Sequence, residues 1–556
     1  MPNDSGKSKD LEHERRALQR RLSQLTPKAR LDALTDSDDA QKLVRRTPAE
    51  DLYFAIQDVG LADATEIVQL ATPRQFQTFV DLAAWKKGEL DAHALLSWLR
   101  AAKGDEHDAF LDKVRGIDLE LIEALLRKFT NIHDLEEDPD VNPEGVTFET
   151  PEGKYLVEFL VEGVELSAMR SLLNDLFGQN PFETTRLLEA VRWELMGELE
   201  ETALRFRTAR LSDLGFPEPE AAASLYAFVK PETVVRPPST GPERPGADTG
   251  LTTTTRVNFL EEALNALDEE ERETFEAELR YLINAALVAD GADAGDLDAI
   301  RRISERARDY LCLALEYLSD GEPSRAVEVV RLYPSKRVFQ VGFSLTLKLK
   351  YHADRLFKRP LAKVGDTEMV LAEELAVVTA LRRRRPMKAV KVEGAEPMPF
   401  RALKELADAE AVLNRVDHQL TLFEDLLGNK PEAIPARLAD LKHGDAAVDA
   451  ERVLTAAVAQ AILTHEPRVE PVPKARVVEL CEALFEGTAE APRLKDSARE
   501  TAYRVLEARV PEDSHPELRR MVDRMLARMT AEIAGSFLID HTFAVELTEI
   551  LPVQEG

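Results

Sequence analysis

Residues 47–75 have the sequence TPAEDLYFAIQDVGLADATEIVQLATPRQ, and this stretch decides the fold class. Thr47 and Thr72 each precede a Pro, which is favoured at the first position of a helix because its missing N–H needs no partner there. Three residues after each Thr stands Glu50 or Gln75, which completes a predicted capping box. The apolar residues between the two signals recur at helical spacing. The stretch therefore predicts short helices that follow one another closely.

The same start signal occurs at Thr26-Pro27, so the three signals are separated by 21 and 25 residues. We expect an α-solenoid-like array of helix pairs in residues 25–130, in which each pair buries its apolar face on its neighbour. This array resembles the helical superstructure at the N-terminus of MgtE-type magnesium channels, without the membrane part of those channels. The resemblance implies a helical arrangement and no particular activity.

The composition of the chain favours helices over sheets. Of 556 residues, 44% are hydrophobic, 31% are charged and only 6% are aromatic, and Gly is sparse at 25 residues. Such a profile is ordinary for a folded protein that is rich in helix-forming residues. It excludes collagen, disulfide-rich miniproteins and most β-sandwiches. We therefore predict an all-α, multi-domain protein.

One segment of the sequence predicts β-structure. Residues 146–150 and 154–160 flank Pro151-Glu152-Gly153, which favours a turn, and apolar residues alternate in the second segment. We predict one small β-hairpin that packs on helices, because an isolated hairpin is only marginally stable in water. A long helix is predicted from Asn180, its N-cap, to about residue 210.

Residues 231–250 contain five Pro and three Gly and have no apolar period, which predicts a linker. Each flank exceeds 200 residues, so we expect two separately folded helical halves. The predicted divisions are 1–24 (amphipathic N-terminal arm), 25–130 (α-solenoid-like helix pairs), 131–164 (acidic loop and β-hairpin), 165–230 (helical region with the long helix), 231–252 (Pro/Gly linker), 253–430 (helical domain) and 431–556 (C-terminal helical region).

The formal charge of −30 argues against a general nucleic-acid binder, because binding to phosphates requires cationic surface. Residues 1–46 differ, since they hold 11 Lys and Arg against 8 Asp and Glu. They are interpreted as a solvated amphipathic helix, with a basic arm that contacts RNA or an acidic partner as the alternative. No apolar signal segment or membrane-length run occurs, so we expect a cytoplasmic protein. Cys312 and Cys481 form no disulfide framework or zinc pattern.

Glu194, Glu198, Glu201 and Arg205 fall within about 60° of one another on a helical wheel of 100° per residue. This stripe is interpreted as an ion-pair face, because Glu201 precedes Arg205 by four residues, which is the favourable orientation for a pair. A buried structural network and an acid–base or metal cluster are the alternatives. The stripe itself contains no Glu-x-x-His tetrapeptide of the kind typical of metal-binding bundles, and the one such tetrapeptide in the sequence is Glu512–His515.

The densest basic run is Arg382, Arg383, Arg384 and Arg385, which stands immediately before Pro386. Cations complement the dipole at the C-terminus of a helix, and the residue before Pro is a natural helix end. We interpret the run as such a terminus, and a patch that binds phosphate or a partner is the alternative.

Residues 138–149 place oxygen ligands at positions 1, 3, 5 and 12 of a calcium loop, but Pro143 stands where such a loop needs Gly. We therefore predict an acidic surface loop. The sequence has no phosphate-binding, dinucleotide-binding, serine-hydrolase or zinc-protease motif. No catalytic residue, metal ligand or cofactor is predicted.

Two segments carry a resemblance to a known family. They are residues 198–217, ELEETALRFRTARLSDLGFP, together with residues 220–226, and residues 337–345, RVFQVGFSL. Both resemble an uncharacterised family of large, mainly helical bacterial proteins, which is classed as a domain of unknown function. The resemblance implies a helical fold and assigns no activity, cofactor or site residue. From the residues themselves, 210–217 predict a helix exit with Gly215 in the left-handed turn.

We predict from these observations a cytoplasmic scaffold or adaptor that offers concave helical surfaces to other proteins. Two alternatives stay open. One is an enzyme with an acidic site where the helix of residues 194–205 meets the hairpin, and the other is a regulator with a basic N-terminal arm. The sequence predicts neither the identity of the partner nor the oligomeric state.

Overall fold

The structure is a computed structural model, and it describes residues 29, 35, 39–237, 258–364, 367–390, 394–427, 441, 448–488, 491–537 and 551–554. The chain divides into two compact units. Unit 1 comprises Met1–Tyr226 and Glu269–Ala307, and unit 2 comprises Ala227–Asp268 and Arg308–Gly556. These cuts fall at other positions than the predicted domain boundaries, and the chain passes between the units more than once.

The fold is mainly α-helical, with 22 helices and a few short strands in the ranges given above. The helices before residue 227 are α1 (Ala40–Arg46), α2 (Ala49–Val59), α3 (Thr65–Leu70), α4 (Pro73–Ala83), α5 (Ala92–Ala102), α6 (His107–Gly116), α7 (Leu119–Phe129), α8 (Gly163–Gln179), α9 (Pro181–Trp193), α10 (Met196–Asp213) and α11 (Pro219–Ala223).

Eleven further helices lie among the described residues after residue 258. They are α12 (Phe259–Ala266), α13 (Glu269–Asp290), α14 (Leu297–Leu318), α15 (Ala326–Leu332), α16 (Ser335–Leu356), α17 (Ala372–Arg382), α18 (Leu403–Leu427), α19 (Ala450–Thr464), α20 (Val477–Leu484), α21 (Asp496–Glu507) and α22 (His515–Phe537). No helix among the described residues is both long enough and apolar enough to cross a membrane.

Two of the predicted helix start signals have different outcomes. The Thr72 side chain accepts a hydrogen bond from the Gln75 N–H and the Gln75 side chain accepts one from the Thr72 N–H, so the predicted capping box is confirmed. At the earlier signal Pro48 is the N-cap and α2 begins at Ala49. The Thr47 hydroxyl donates instead to a carbonyl of the preceding turn, so the capping box predicted there is wrong.

The predicted helix exit at the end of α10 is confirmed. The helix ends at Asp213, and Gly215 has a φ of 86°. The Phe216 N–H donates to the Leu211 carbonyl at 2.9 Å, as in a Schellman motif. A left-handed residue costs least when it is Gly, which explains this residue at this turn.

The long helix predicted from residue 180 to about residue 210 is wrong. Helix α9 ends at Trp193 and α10 begins at Met196, while Glu194 and Leu195 between them have extended backbones with ψ of 140° and 134°. The start of the prediction holds, because the Asn180 side chain accepts a hydrogen bond from the backbone at the predicted N-cap. We refer to residues 194–195 as the helix break.

The β-structure is also richer than one hairpin. Strands β1 (Trp85–Lys86) and β2 (Glu89–Leu90) form a short antiparallel pair. Strands β3 (Thr130–Asp134), β4 (Thr147–Glu149) and β5 (Tyr155–Phe159) form a three-stranded antiparallel sheet in the order β3-β5-β4. Residues 131–134 were expected in an acidic loop, and their pairing with β5 makes them a strand instead. Alternate residues of β5 are buried in the core of unit 1. Short two-stranded sheets occur elsewhere among the described residues.

The described part of the predicted linker packs within unit 2. Pro231 begins a 3₁₀ turn and is buried, and so is Val234. The Tyr333 hydroxyl donates to the Val235 carbonyl at 2.9 Å, and the Arg236 guanidinium lies 4.6 Å from the centre of the Tyr317 ring. The rest of the linker and the arm of residues 1–24 lie outside the described residues.

The core of the C-terminal region surrounds one helix. All residues of α19 from Ala450 to Leu463 are buried, and α20, α21 and α22 pack around it. Most of this helix lies in the uncharged run Val453–His465, which predicts a buried helix, and that prediction is confirmed.

Candidate functional site

The predicted carboxylate stripe does not lie on one helix. Glu194 lies in the helix break, whereas Glu198, Glu201 and Arg205 belong to α10. All four side chains are exposed. Within the described ranges Glu201 and Arg205 form no ion pair, and the Arg205 guanidinium lies 5.6 Å from the centre of the Phe206 ring. The role of the stripe stays a prediction.

A groove of about 750 Å³ follows the exposed face of α10. It is lined by Glu201, Thr202, Leu204, Arg205, Thr208, Ala209, Ser212, Asp213 and Glu218. Its described walls are thus one helix and a single residue beyond it, and seven of the nine lining residues are polar or charged. Small-molecule sites are typically enclosed and largely apolar, so this groove does not fit one.

The helix break is held open by an arginine from a distant part of the sequence. Helix α7 packs on α10, and Arg127 near its end donates to the Val191 carbonyl at 2.7 Å and to the Arg192 carbonyl at 3.1 Å. In a continuous helix these two carbonyls would accept from the N–H groups of residues 195 and 196. Because Arg127 takes both acceptors, the chain can leave the helix without orphaned carbonyls.

Arg192 links the end of α9 to the three-stranded sheet and to the segment that follows β3. Arg192 donates to Asp134 Oδ2 at 2.8 Å and to Glu137 Oε2 at 2.6 Å. Its guanidinium also lies 5.7 Å from the centre of the Tyr155 ring in β5 and 5.4 Å from that of Trp193. These contacts give the exposed indole a defined position.

Large apolar side chains flank the helix break and face solvent. Trp193 is 71% exposed and Leu195 is 60% exposed, whereas Trp85 and Trp98 are 2% and 3% exposed. Phe182 is 69% exposed at the start of the same helix. Eleven residues turn a helix by about three full turns plus 20° and advance it by about 16 Å, so Phe182 and Trp193 share one face of α9. Exposed aromatic groups of this kind are typical of interaction surfaces.

A buried carboxylate lies close to this surface. Glu123 of α7 is only 8% exposed and forms no hydrogen bond or ion pair with any described residue. Burial, together with the charges of Glu120 and Glu194, raises the pKa of Glu123 to about 7. We use the term helix-break surface for Trp193, Leu195, Glu194 and the neighbouring Glu120 and Glu123.

A salt-bridge network joins α7 and α10 at the end away from the helix break. Arg210 of α10 donates to both carboxylate oxygens of Asp81, at 2.7 and 2.8 Å. It also donates to Asp118, the N-cap of α7, at 2.6 and 3.0 Å. Burial lowers the pKa of Arg210, but the hydrogen bonds to the two carboxylates outweigh it and raise that pKa. The network fixes α4, α7 and α10 together, which is a structural role.

The basic run stands at the end of a helix, but that helix ends at the first residue of the run and not directly before Pro386 as predicted. Helix α17 ends at Arg382, whose guanidinium donates to Asp354 at 3.2 Å. Arg383, Arg384 and Arg385 also take part in ion pairs, ring contacts or other polar interactions. Binding of phosphate or of a partner at this run stays a prediction.

Buried charges also meet in unit 2. Glu374 is buried, and the guanidinium groups of Arg520 and Arg524 lie 3.1 and 3.4 Å from its carboxylate. Arg524 also pairs with the buried Glu451 at 3.4 Å. Both glutamates therefore have cationic partners, which is typical of a structural ion-pair network.

The chemistry available at these sites is limited. No group of three or more His, Cys, Asp or Glu side chains in the described part of the chain could hold a metal ion. Cys312 and Cys481 are not joined by a disulfide, and burial raises the pKa of Cys481 to about 12, which leaves its thiol protonated at neutral pH. The helix-break surface offers apolar contact, carboxylates and one carboxyl group that titrates near neutrality.

Sequence reasoning identified Glu194 but missed the rest of the helix-break surface. An apolar residue such as Trp193 or Leu195 is compatible with a buried helix face as well as with an exposed segment. The position of Glu123 in the helical pattern of α7 does not predict that its side chain is buried. Arg127 stands 64 residues before Val191, the nearer of the two residues whose carbonyls it binds. Only the break itself carried a local signal, since Glu-Leu-Met-Gly at residues 194–197 ends in a Gly.

The fold and site define a mainly helical protein with an exposed aromatic helix break and no recognisable catalytic centre among the described residues. The chain belongs to the family of unknown function DUF6178, whose model matches residues 7–541. The predicted resemblance to a domain-of-unknown-function family is therefore confirmed. No curated protein and no solved structure matches the chain, and the resemblance to MgtE-type channels stays a prediction.

Proposed function

We propose that this chain is a cytoplasmic helical scaffold or adaptor that binds another protein at the helix-break surface. The observation that supports this proposal best is the exposure of Trp193 and Leu195, at 71% and 60%, on a backbone that Arg127 and Arg192 hold in place. Tryptophan is enriched among the residues that contribute most to binding energy at protein interfaces. A fixed anchor also loses little conformational entropy on binding.

The proposal includes an α-solenoid-like arrangement of the helix pairs in residues 25–130. Consecutive helices α2 to α7 are short and their connections are brief, as in stacked helix pairs. Such arrays expose extended surfaces to partners. The basic arm of residues 1–24 remains a candidate regulatory segment of the same scaffold.

Trp193→Ala tests the proposal. The tagged full chain and the variant are compared for capture of stoichiometric partners from native extract, and each retained partner is then purified and titrated. We expect the variant to weaken binding at least tenfold, as hot-spot residues contribute about 2 kcal/mol or more. Tyr281→Ala is the matched control, because Tyr281 is a half-exposed aromatic residue of α13. Equal binding by all three proteins would refute the assignment of this surface.

The enzyme alternative has one supporting observation, namely that the Glu123 carboxyl titrates at about 7. A general acid or base works best when its pKa lies near the operating pH. Glu123→Gln tests this alternative, because an enzyme that uses this carboxyl as a general acid or base would lose turnover in the variant. A purified chain that converts a co-purifying small molecule, and stops doing so in this variant, would favour the enzyme.

A further inference from the structure

The helix-break surface has negative charge without cationic partners. No ion pair in the described ranges involves the three carboxylates of this surface, Glu120, Glu123 and Glu194, or the adjacent Glu198. Two arginines, Arg127 and Arg192, are near these carboxylates but have other partners. Arg127 donates to backbone carbonyls, and Arg192 is taken up by two carboxylates of the sheet and the segment after it. A partner with positive charge would therefore meet carboxylates that form no ion pair within the described part of the chain.

The exposed indole adds a second cue for a cation. One cation, the Arg192 guanidinium, already lies 5.4 Å from the centre of the Trp193 ring, while 71% of the side chain remains exposed. Tryptophan is the aromatic side chain that attracts cations most strongly. Lysine and arginine also place an apolar stem against such a ring while the charged end reaches a carboxylate.

The spacing of the apolar groups points to the shape of the partner. Phe182 and Trp193 lie on one face of α9 about 16 Å apart along its axis, which equals about three turns of a second helix. Helices that bind through such faces present apolar anchors at positions i, i+3 or i+4 and i+7. Arg186 and Glu189 lie between them on this face. Arg186 pairs with Glu183 while Lys154 lies 4.0 Å from Glu189, so within the described residues the unpaired carboxylates near this face are those at the helix break.

We propose that the helix-break surface binds a basic amphipathic helix of another protein, with apolar side chains against Trp193 and Leu195 and a Lys or Arg beside Glu194. The proposal rests on the proposed function and adds the chemistry of the partner to it. A helix with an acidic polar face would meet repulsion at the same carboxylates.

Trp193 itself reports binding, because it is the exposed one of the three tryptophans in the chain. The probe is an amphipathic Leu/Lys peptide of about five helical turns without aromatic residues, and its counterpart carries Glu in place of Lys. Acrylamide quenching of the full-length protein is measured during each titration. We expect the Lys peptide to protect Trp193 from quenching and the Glu peptide to leave quenching unchanged.

Two charge variants test the role of the carboxylates. Glu194→Gln should weaken binding of the Lys peptide about three- to tenfold, and the loss should shrink at high salt. Glu276→Gln in α13 removes the same charge from an exposed position elsewhere in unit 1, and we expect it to bind as the original protein does. Equal affinity of these two variants, or equal binding of the Lys and Glu peptides, would overturn the basic-helix proposal.

The outcomes separate this inference from the proposed function. One outcome is that a native partner is captured in a Trp193-dependent way while the Lys peptide does not protect Trp193 from quenching. This outcome would support the proposed adaptor function and reject the proposal of a basic helix. The amphipathic arm of this chain is the rival occupant. Full-length protein with Leu18→Asp and Leu22→Asp should show unchanged quenching of Trp193 without peptide, and increased quenching would assign the surface to the arm instead.

Discussion

At the scale of single residues, Glu123 links the stability of unit 1 to pH. Burial and two neighbouring carboxylates raise the pKa of this carboxyl from 4.5 to about 7. The folded chain therefore keeps a proton between these values that the unfolded chain has released. The free energy of unfolding consequently falls as the pH rises from about 4.5 through 7, and the loss is complete above 7.

Glu123→Gln should remove this pH dependence. We expect the variant to be more stable than the original protein by about 1–2 kcal/mol at pH 8, because one pKa unit corresponds to about 1.4 kcal/mol and partial access to water reduces the full effect. The gain should shrink towards pH 5, where the folded carboxyl is neutral in both proteins. Urea unfolding at the two pH values measures it. Glu276→Gln is the control, and a gain that is equal at both pH values would contradict the assignment.

At the scale of elements, the helix break shows where sequence-based prediction succeeds and where it fails. Two helix ends that depend on local residues agree with the prediction, namely the capping box at Thr72 and the exit at Gly215, whereas the capping box predicted at Thr47 does not form. The break was missed because Arg127, which satisfies the carbonyls there, lies on another helix. Strand β3 was missed for the same physical reason, since its pairing partner β5 begins 25 residues after it starts. The candidate site was not predicted for the same reason, because the exposure of Trp193 and the burial of Glu123 depend on tertiary packing.

Arg127→Met should therefore loosen the break while leaving the separate helices formed. The change removes two hydrogen bonds from a charged donor, and each such bond contributes about 1.5–3 kcal/mol at most. We expect a loss of about 1–3 kcal/mol in the free energy of unfolding and faster amide hydrogen exchange at residues 194–198. Lys128→Met is the control, because Lys128 is the exposed neighbour on α7. Equal exchange in the two variants would mean that the break persists without Arg127.

At the scale of the whole molecule, unit 1 is built from two separate parts of the chain. The Tyr53 hydroxyl donates to the Gly295 carbonyl at 3.3 Å, and the Lys87 N–H donates to Asp293 at 2.9 Å. The loop between α13 and α14 packs directly on α4 at Gly295. A Cβ atom at this position would lie 2.2 Å from the Leu82 carbonyl oxygen, so only Gly fits there without a shift of the backbone. Residues 269–307 thus complete a core that begins in the N-terminal part.

This interleaving gives an expectation opposite to that of two separately folded halves. A protease site placed at residues 241–246, inside the predicted linker, should allow the chain to be cut there. We expect both fragments to co-elute in size-exclusion chromatography under native conditions, because residues 269–307 of one fragment belong to the unit formed by the other.

Gly295→Val should promote separation of the cut chain, since the added side chain clashes with backbone and overpacking costs about 1–3 kcal/mol. Uncut Gly295→Val protein controls for simple unfolding by circular dichroism. Two soluble helical fragments that separate without this substitution would restore the prediction of independent halves.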